Sequence, residues 1–122
     1  MALTILVADD EADNRAIIAA ALATSGYRVC QARDGGEAVE SALREVPDLI
    51  LLDMAMPGVS GWEAVKRLKA LPQTKEIPIF AFTAFALSGD ELKARRAGCD
   101  GYISKPCIPK DVVDLIRIKV GQ

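Results

Sequence analysis

The sequence contains no histidine. That excludes Ser-His-Asp chemistry, histidine-bound metals and any role as a phosphohistidine carrier. Its three cysteines, Cys30, Cys99 and Cys107, are an odd number with no C-x-x-C spacing. They read as small, reduced, mostly buried hydrophobes rather than a disulfide or zinc framework. No apolar run approaches the length of a membrane span, so no membrane insertion is expected. The start, Met1-Ala-Leu-Thr4, lacks the basic region and apolar core of a signal peptide, which points to a cytoplasmic chain. A basic excess is missing too: the net charge is -2 and the pI about 5.1, which argues against direct nucleic-acid binding. Internal repeats, low-complexity segments and interdomain linkers are also lacking.

What is present is a globular composition, 51% apolar and 26% charged over 122 residues. This is the size of one domain with one core. The domain is expected to span 1–122.

The central stretch is Leu49-Ile-Leu-Leu-Asp53-Met-Ala-Met-Pro57-Gly58. An apolar run of strand length stops at a carboxylate, and a short loop closed by Pro-Gly follows. A carboxylate at the mouth of a buried strand is costly unless it is paired or bound to metal. Asp before a turn is also common turn chemistry, so Asp53 takes its meaning from its neighbours.

Four further runs have strand character: Thr4–Ala8, a more alternating stretch over 27–32, Ile79–Phe82, and a brief Gly101–Ile103. Helical periods lie between them. Ile17, Ile18, Ala21 and Leu22 share one face, and Gly26 stands where a C-terminal cap belongs. Asp34-Gly-Gly-Glu37, Ser60-Gly-Trp-Glu63 and Ser88-Gly-Asp-Glu91 read as capping boxes. The helices that they open are expected to turn inward Val39, Ala42, Leu43 and Val46, then Trp62, Val65 and Leu68, then Leu92 and Ala97. Pro109 suits the first turn of a last helix, with Val112, Val113, Leu115, Ile116 and Val120 as its apolar side.

Five strands alternating with five helices predict an α/β fold. Unbroken apolar strands are those buried on both faces, which requires a parallel sheet with helices on each side. The alternating second strand suits an edge, favouring a flavodoxin-like (βα)5 sandwich with strand order 2-1-3-4-5.

Asp9 and Asp10 then end strand one, Asp53 ends strand three, Thr83 ends strand four and Lys105 ends strand five. All lie at carboxyl ends, beside the switch point where such sheets bind ligands. Three carboxylates brought together repel unless a cation enters. An oxygen-only ligand set points to Mg2+ (or Mn2+) rather than Zn2+, with a backbone carbonyl such as that of Ala55 completing it. Asp53 becomes a usable nucleophile toward phosphorus. Lys105, the Thr83 hydroxyl and the N–H groups of Met54 and Ala84 are placed to hold phosphoryl oxygens. Taken singly, each has an ordinary reading. Asp9 and Asp10 could cap the first helix, as Glu11 and Asp13 do, and Thr83 and Lys105 could be plain surface groups. Their joint arrival at four strand ends is what favours a site.

These residues carry a resemblance. Asp9-Asp10, Leu51-Leu-Asp53-Met-Ala-Met-Pro-Gly58, Thr83-Ala84 and Ala97-Gly-Cys-Asp-Gly-Tyr102-Ile-Ser-Lys105-Pro106 occur in the order and spacing of the receiver domain of bacterial response regulators. The chain resembles the stand-alone, CheY-like kind from Ile5 to about Ile118, and within it the DivK-like and hybrid-kinase receivers. The resemblance implies that Asp53 is phosphorylated, that Asp10 is a direct Mg2+ ligand and Asp9 one acting through water, and that the Ala55 carbonyl is a ligand. It implies Thr83 and Tyr102 as a switch pair, Lys105 as the phosphate-binding lysine, and a cis bond before Pro106. It implies a sensor histidine kinase or histidine phosphotransfer protein as phosphodonor and a downstream target protein as partner. At most, the protein would catalyse its own phosphorylation and dephosphorylation.

Two departures stand out. Cys107 follows Lys-Pro where a larger apolar residue is usual, and Ile108 is a poor N-cap. Phe85 is apolar where the family tunes phosphoryl lifetime, so slow phosphate loss is expected. No output domain is expected after the last helix, which leaves protein binding as the output. Phe85, Leu87, Ile103 and Ile108 then outline a partner surface on the fourth helix, fifth strand and fifth helix. A haloacid-dehalogenase-type phosphatase would need a second Asp at position 55, where Ala55 stands. A flavin binder would need something other than Asp-Asp-Glu after its first strand. A receiver-like scaffold that is never phosphorylated is the third alternative.

Overall fold

The computed structural model describes residues 2–56, 58–83, 90–105 and 107–121. Ten elements alternate: β1 Thr4–Ala8, α1 Ala12–Thr24, β2 Arg28–Ala32, α2 Gly35–Glu45, β3 Leu49–Asp53, α3 Gly61–Ala70, β4 Ile79–Thr83, α4 Asp90–Ala97, β5 Gly101–Ser104 and α5 Pro109–Val120. The sheet is parallel throughout, in the order β2-β1-β3-β4-β5. This is the predicted topology.

The strand period divides the core in two. Ile5, Val7, Leu49, Leu51, Phe80 and Phe82 face α1 and α5, where they meet Ile18, Leu22, Val112, Val113 and Ile116. Leu6, Ala8, Ile50, Leu52 and Ala81 face α2, α3 and α4. That second layer is lined on the helix side largely by Ala38, Ala42, Ala64 and Ala94, with Val65 and Leu68. Small residues let these helices lie close on strands that already carry bulky side chains. β2 is the half-exposed edge.

The helix faces differ from the apolar pattern in five places. Ile17, Leu43, Val46, Leu92 and Leu115 were expected to point inward and are exposed. The buried positions are small residues instead: Gly35, Ala38, Ser41 and Ala42 on α2, and Ala94 on α4. Val46 also ends α2 in a left-handed conformation at φ 44°, which directs the chain into Pro47.

The helix starts are mixed as well. Asp34 and Ser60 accept the N–H groups of Glu37 and Glu63 as expected. The Glu37 carboxylate, however, returns its bond to the Arg33 N–H rather than to Asp34. Neither Asp9 nor Asp10 is the N-cap of α1; that place falls to Glu11, without a side-chain bond. Ile108 caps α5 without a side-chain bond, as anticipated, with Pro109 in the first turn. The expected cap at Ser88 lies outside the described residues.

α4 is lightly seated. Ala94 is buried, and Lys93 holds its ammonium 4.3 Å from the centre of the Trp62 ring on α3. Such a contact contributes about 0.5–1 kcal/mol at an exposed site.

Candidate functional site

The ends of β1, β3, β4 and β5 bring the expected polar groups together. Ala8 pairs with Leu52, and one step further along the same register Asp9 comes beside Asp53. Asp9 and Asp53 are buried and Asp10 is exposed. One carboxylate oxygen from each of the three lies within 4.8 Å of the others.

Lys105 crosses from the β5 end and bridges two of them. Its Nζ is 3.0 Å from Asp9 Oδ2 and 3.1 Å from Asp53 Oδ2, with the Phe82 ring 4.9 Å away. Its backbone N–H donates to the Thr83 carbonyl at 2.7 Å. The lysine is therefore anchored to the residue that ends β4.

Burial sets the electrostatics. Burial lowers the affinity of Lys105 for its proton, but the bonds to Asp9 and Asp53 overcome this and raise its pKa, so it stays charged. Burial alone would raise Asp9; the Glu11 N–H and Lys105 outweigh it, and its carboxyl stays below the usual range. Burial of Asp53 is only partly offset by the Ala55 N–H and Lys105, and the Asp9 charge opposes ionisation further, so its pKa is raised. Of the two buried carboxylates, Asp53 is thus the one whose negative charge is less well compensated.

One backbone expectation changes here. The Met54 N–H, expected to face a phosphoryl group, donates to the Phe82 carbonyl at 3.3 Å. The N–H that meets the Asp53 carboxylate is that of Ala55, at 2.9 Å from Oδ1. Ala84, Phe85, Leu87 and Pro106 lie outside the described residues. Thr83 is buried at the end of β4. Tyr102 pairs with Ala81 in the sheet and packs on the α2–α3–α4 layer. By strand alternation this is also the side of Thr83. Ile103 was expected on a partner surface, but it is buried against the α1–α5 layer. Ile108 is exposed.

Other residues that shape the pocket carried no motif. Asn14 donates to Asp9 Oδ2 at 2.8 Å. Arg15 donates to the Asp9 carbonyl at 2.8 Å and to Gln31 at 3.1 Å. Gly61 opens α3 with its Cα against the backbone of Asp53 and Met54, where a Cβ would collide. The one available signal was spacing: Asn14 follows Asp9 by five residues, about one helical turn beyond the Asp10-Glu11 corner.

The donor set suits a small hard cation, since it offers carboxylate oxygens and no sulfur or imidazole. A raised Asp53 pKa and carboxylates crowded around one ammonium are consistent with that reading.

Relatives agree with the geometry. The sequence model of the response regulator receiver domain matches residues 5–117. The polar-differentiation response regulator DivK of Brucella ovis is 37% identical over 121 residues, which is 99% of this chain and 98% of DivK. The receiver domain of a Pseudomonas aeruginosa sensor histidine kinase, solved with a magnesium ion coordinated in its active-site cleft, superposes with a TM-score of 0.90 at 34% identity, covering 100% of both chains. A CheY-like receiver protein of Methanospirillum hungatei gives 0.91 at 26% identity, covering 99% of this chain and 95% of its own. These structural neighbours are receivers, not haloacid-dehalogenase phosphatases. Fold, strand-end site and relatives coincide, and the chain belongs to the response regulator receiver domains, the phosphoacceptor proteins of two-component signalling.

Proposed function

We propose that Asp53 accepts the phosphoryl group, from the phosphohistidine of a sensor kinase or phosphotransfer protein, and that Lys105, Thr83 and Tyr102 convert its arrival into a change of surface. The observation that carries this is the Lys105 ammonium shared between Asp9 and Asp53. One positive charge thus lies at the carboxylate that would carry the phosphoryl group as an acyl phosphate.

Asp10, Asp53 and the Ala55 carbonyl would hold Mg2+ directly. Asp9, with Oδ1 on the Glu11 N–H and Oδ2 on Asn14 and Lys105, would act through water. Bound Mg2+ supplies charge neutralisation to the oxygens of the incoming phosphoryl group. In the transfer, an Asp53 oxygen forms the new O–P bond as the P–N bond to the imidazole breaks. The imidazole nitrogen keeps the bonding pair and takes up a proton. Lys105 then turns to the phosphoryl oxygens and the Thr83 hydroxyl donates to another, which favours the arrangement in which Tyr102 turns inward. A bias of a few kcal/mol suffices for such a switch.

The chain's own chemistry is confined to gaining and losing this group, because Ala55 offers no second acid for turnover of a phosphoester substrate. The output is binding of a target protein, with exposed Ile108 as one contact. A cytoplasmic site of action fits the absence, among the described residues, of any helix long and apolar enough to cross a membrane.

The test is incubation with acetyl phosphate and Mg2+ followed by intact mass spectrometry. One base-labile phosphoryl adduct is expected on the native protein and none on Asp53→Asn. No adduct on native protein refutes the assignment and favours a scaffold that is not phosphorylated, whereas an equal adduct on Asp53→Asn refutes it in favour of a different acceptor residue.

A further inference from the structure

Asp9 Oδ2 has two donors at nearly equal distance. Asn14 Nδ2 is 2.8 Å away and Lys105 Nζ is 3.0 Å away. The other oxygen, Oδ1, is taken by the Glu11 N–H at 2.9 Å. Asp9 is buried, so a lost donor is not simply replaced by bulk water. Lys105 is the only one of these groups that also touches Asp53, and it is the one that must follow new negative charge there. Asn14 and Arg15 are adjacent in the first turns of α1. Arg15 braces the Asp9 carbonyl to Gln31 of β2, so the segment presenting Asn14 is fixed from both sides. Asn14 and Lys105 also line the same open cavity of about 570 Å3, beside Glu11, Ile17 and Phe82.

We propose that Asn14 is a positioning residue of the phosphoacceptor pocket, whose side-chain amide keeps Asp9 Oδ2 partnered so that Lys105 can leave it for the phosphoryl group on Asp53. This rests on Asp53 being the acceptor. Without Asn14, the ammonium is the sole side-chain donor on a buried carboxylate oxygen and is held back from Asp53. The effect falls chiefly on the phosphorylation rate after Mg2+ has bound, because Asn14 bonds Asp9, which would reach the ion only through water, rather than Asp10 or Asp53, which would hold it directly.

The test separates rate from metal affinity. Phosphorylation of the full chain by acetyl phosphate is followed at saturating Mg2+, and Mg2+ binding is measured by calorimetry without phosphodonor. Asn14→Ala is expected to lower the saturated rate about ten-fold, the low end of effects from residues behind a metal site, with Mg2+ affinity changed by less than about two-fold. Asn14→Asp keeps the shape but loses the donor. It is expected to be at least as slow, while its added carboxylate tightens Mg2+ binding. An Asn14→Ala rate equal to native, or a fall that disappears once Mg2+ saturates, overturns the proposal. Native protein that takes no phosphoryl group overturns the acceptor assignment itself. A phosphorylated native protein beside an equally fast Asn14→Ala overturns only the role of Asn14.

Discussion

Gly61 sits directly on the backbone of Asp53: a Cβ at Gly61 would fall inside contact distance of the Asp53 carbonyl and the Met54 Cα. The Gly61 N–H also donates to the Met54 carbonyl at 3.2 Å. The first residue of α3 thus sets the height at which the Asp53 carboxylate leaves the strand. Gly61→Ala must push α3 or the end of β3 aside, at a cost of about 1–3 kcal/mol. Its expected signature is a lower Tm together with slower phosphorylation by acetyl phosphate. Gly36→Ala is the control. That glycine lies in α2, where a Cβ would meet nothing nearer than Asp34 Oδ1 at 3.5 Å. It should raise stability by up to about 1 kcal/mol and leave phosphorylation unchanged.

Removing the ammonium from Lys105 leaves Asp9 and Asp53 facing each other. Lys105→Met should cost about 3 kcal/mol in metal-free buffer, as breaking a buried ion pair does. Much of that loss should return on adding Mg2+, because a divalent cation replaces the missing charge. Thermal melts with and without Mg2+ check this. The expected result is a larger Mg2+-induced rise in Tm for Lys105→Met than for native protein, and an equal rise in both would be the wrong outcome.

Val46 holds φ 44° with a β-branched side chain that is 55% exposed. A left-handed conformation costs an ordinary residue about 1–2 kcal/mol, and little packing repays it here. Asn tolerates this region far better. Val46→Asn should therefore raise stability by about 1 kcal/mol, visible as a Tm increase of a few degrees with phosphorylation unaffected.

Cys99 has its thiol pushed up to about 11, first by burial and then by the Asp100 charge. In the unfolded chain it titrates near its ordinary value of 9.0. The folded state therefore binds this proton more tightly. The stability that follows is whole below about pH 9 and fades as the pH rises through about 11. At pH 8 a thiol reagent should label the half-buried Cys30 and Cys107 well before Cys99 in native protein, and all three together in denaturant. Mass mapping of the labelled sites decides it.

The strands were legible because apolar runs buried on both faces leave few alternatives, and Asp53, Thr83 and Lys105 announce themselves by ending them. The helix faces were less legible for a physical reason. Leu43 and Leu92 carry the greater hydrophobicity, yet Ala38, Ala42 and Ala94 take the interior because strands bearing Leu and Ile leave room only for a methyl group. Ile103 failed as a surface residue because strand parity, not apolarity, chose its side. Asn14 and Gly61 had no pattern to betray them: one acts through a single hydrogen bond, the other through an absent side chain.

The contact between Lys93 and Trp62 has an experimental consequence. Trp62 is the single tryptophan of the chain, and the ammonium of α4 lies 4.3 Å from its ring centre. An indole with a cation over its face emits differently from one without. The protein therefore carries its own optical gauge of where α4 sits, readable in unlabelled protein.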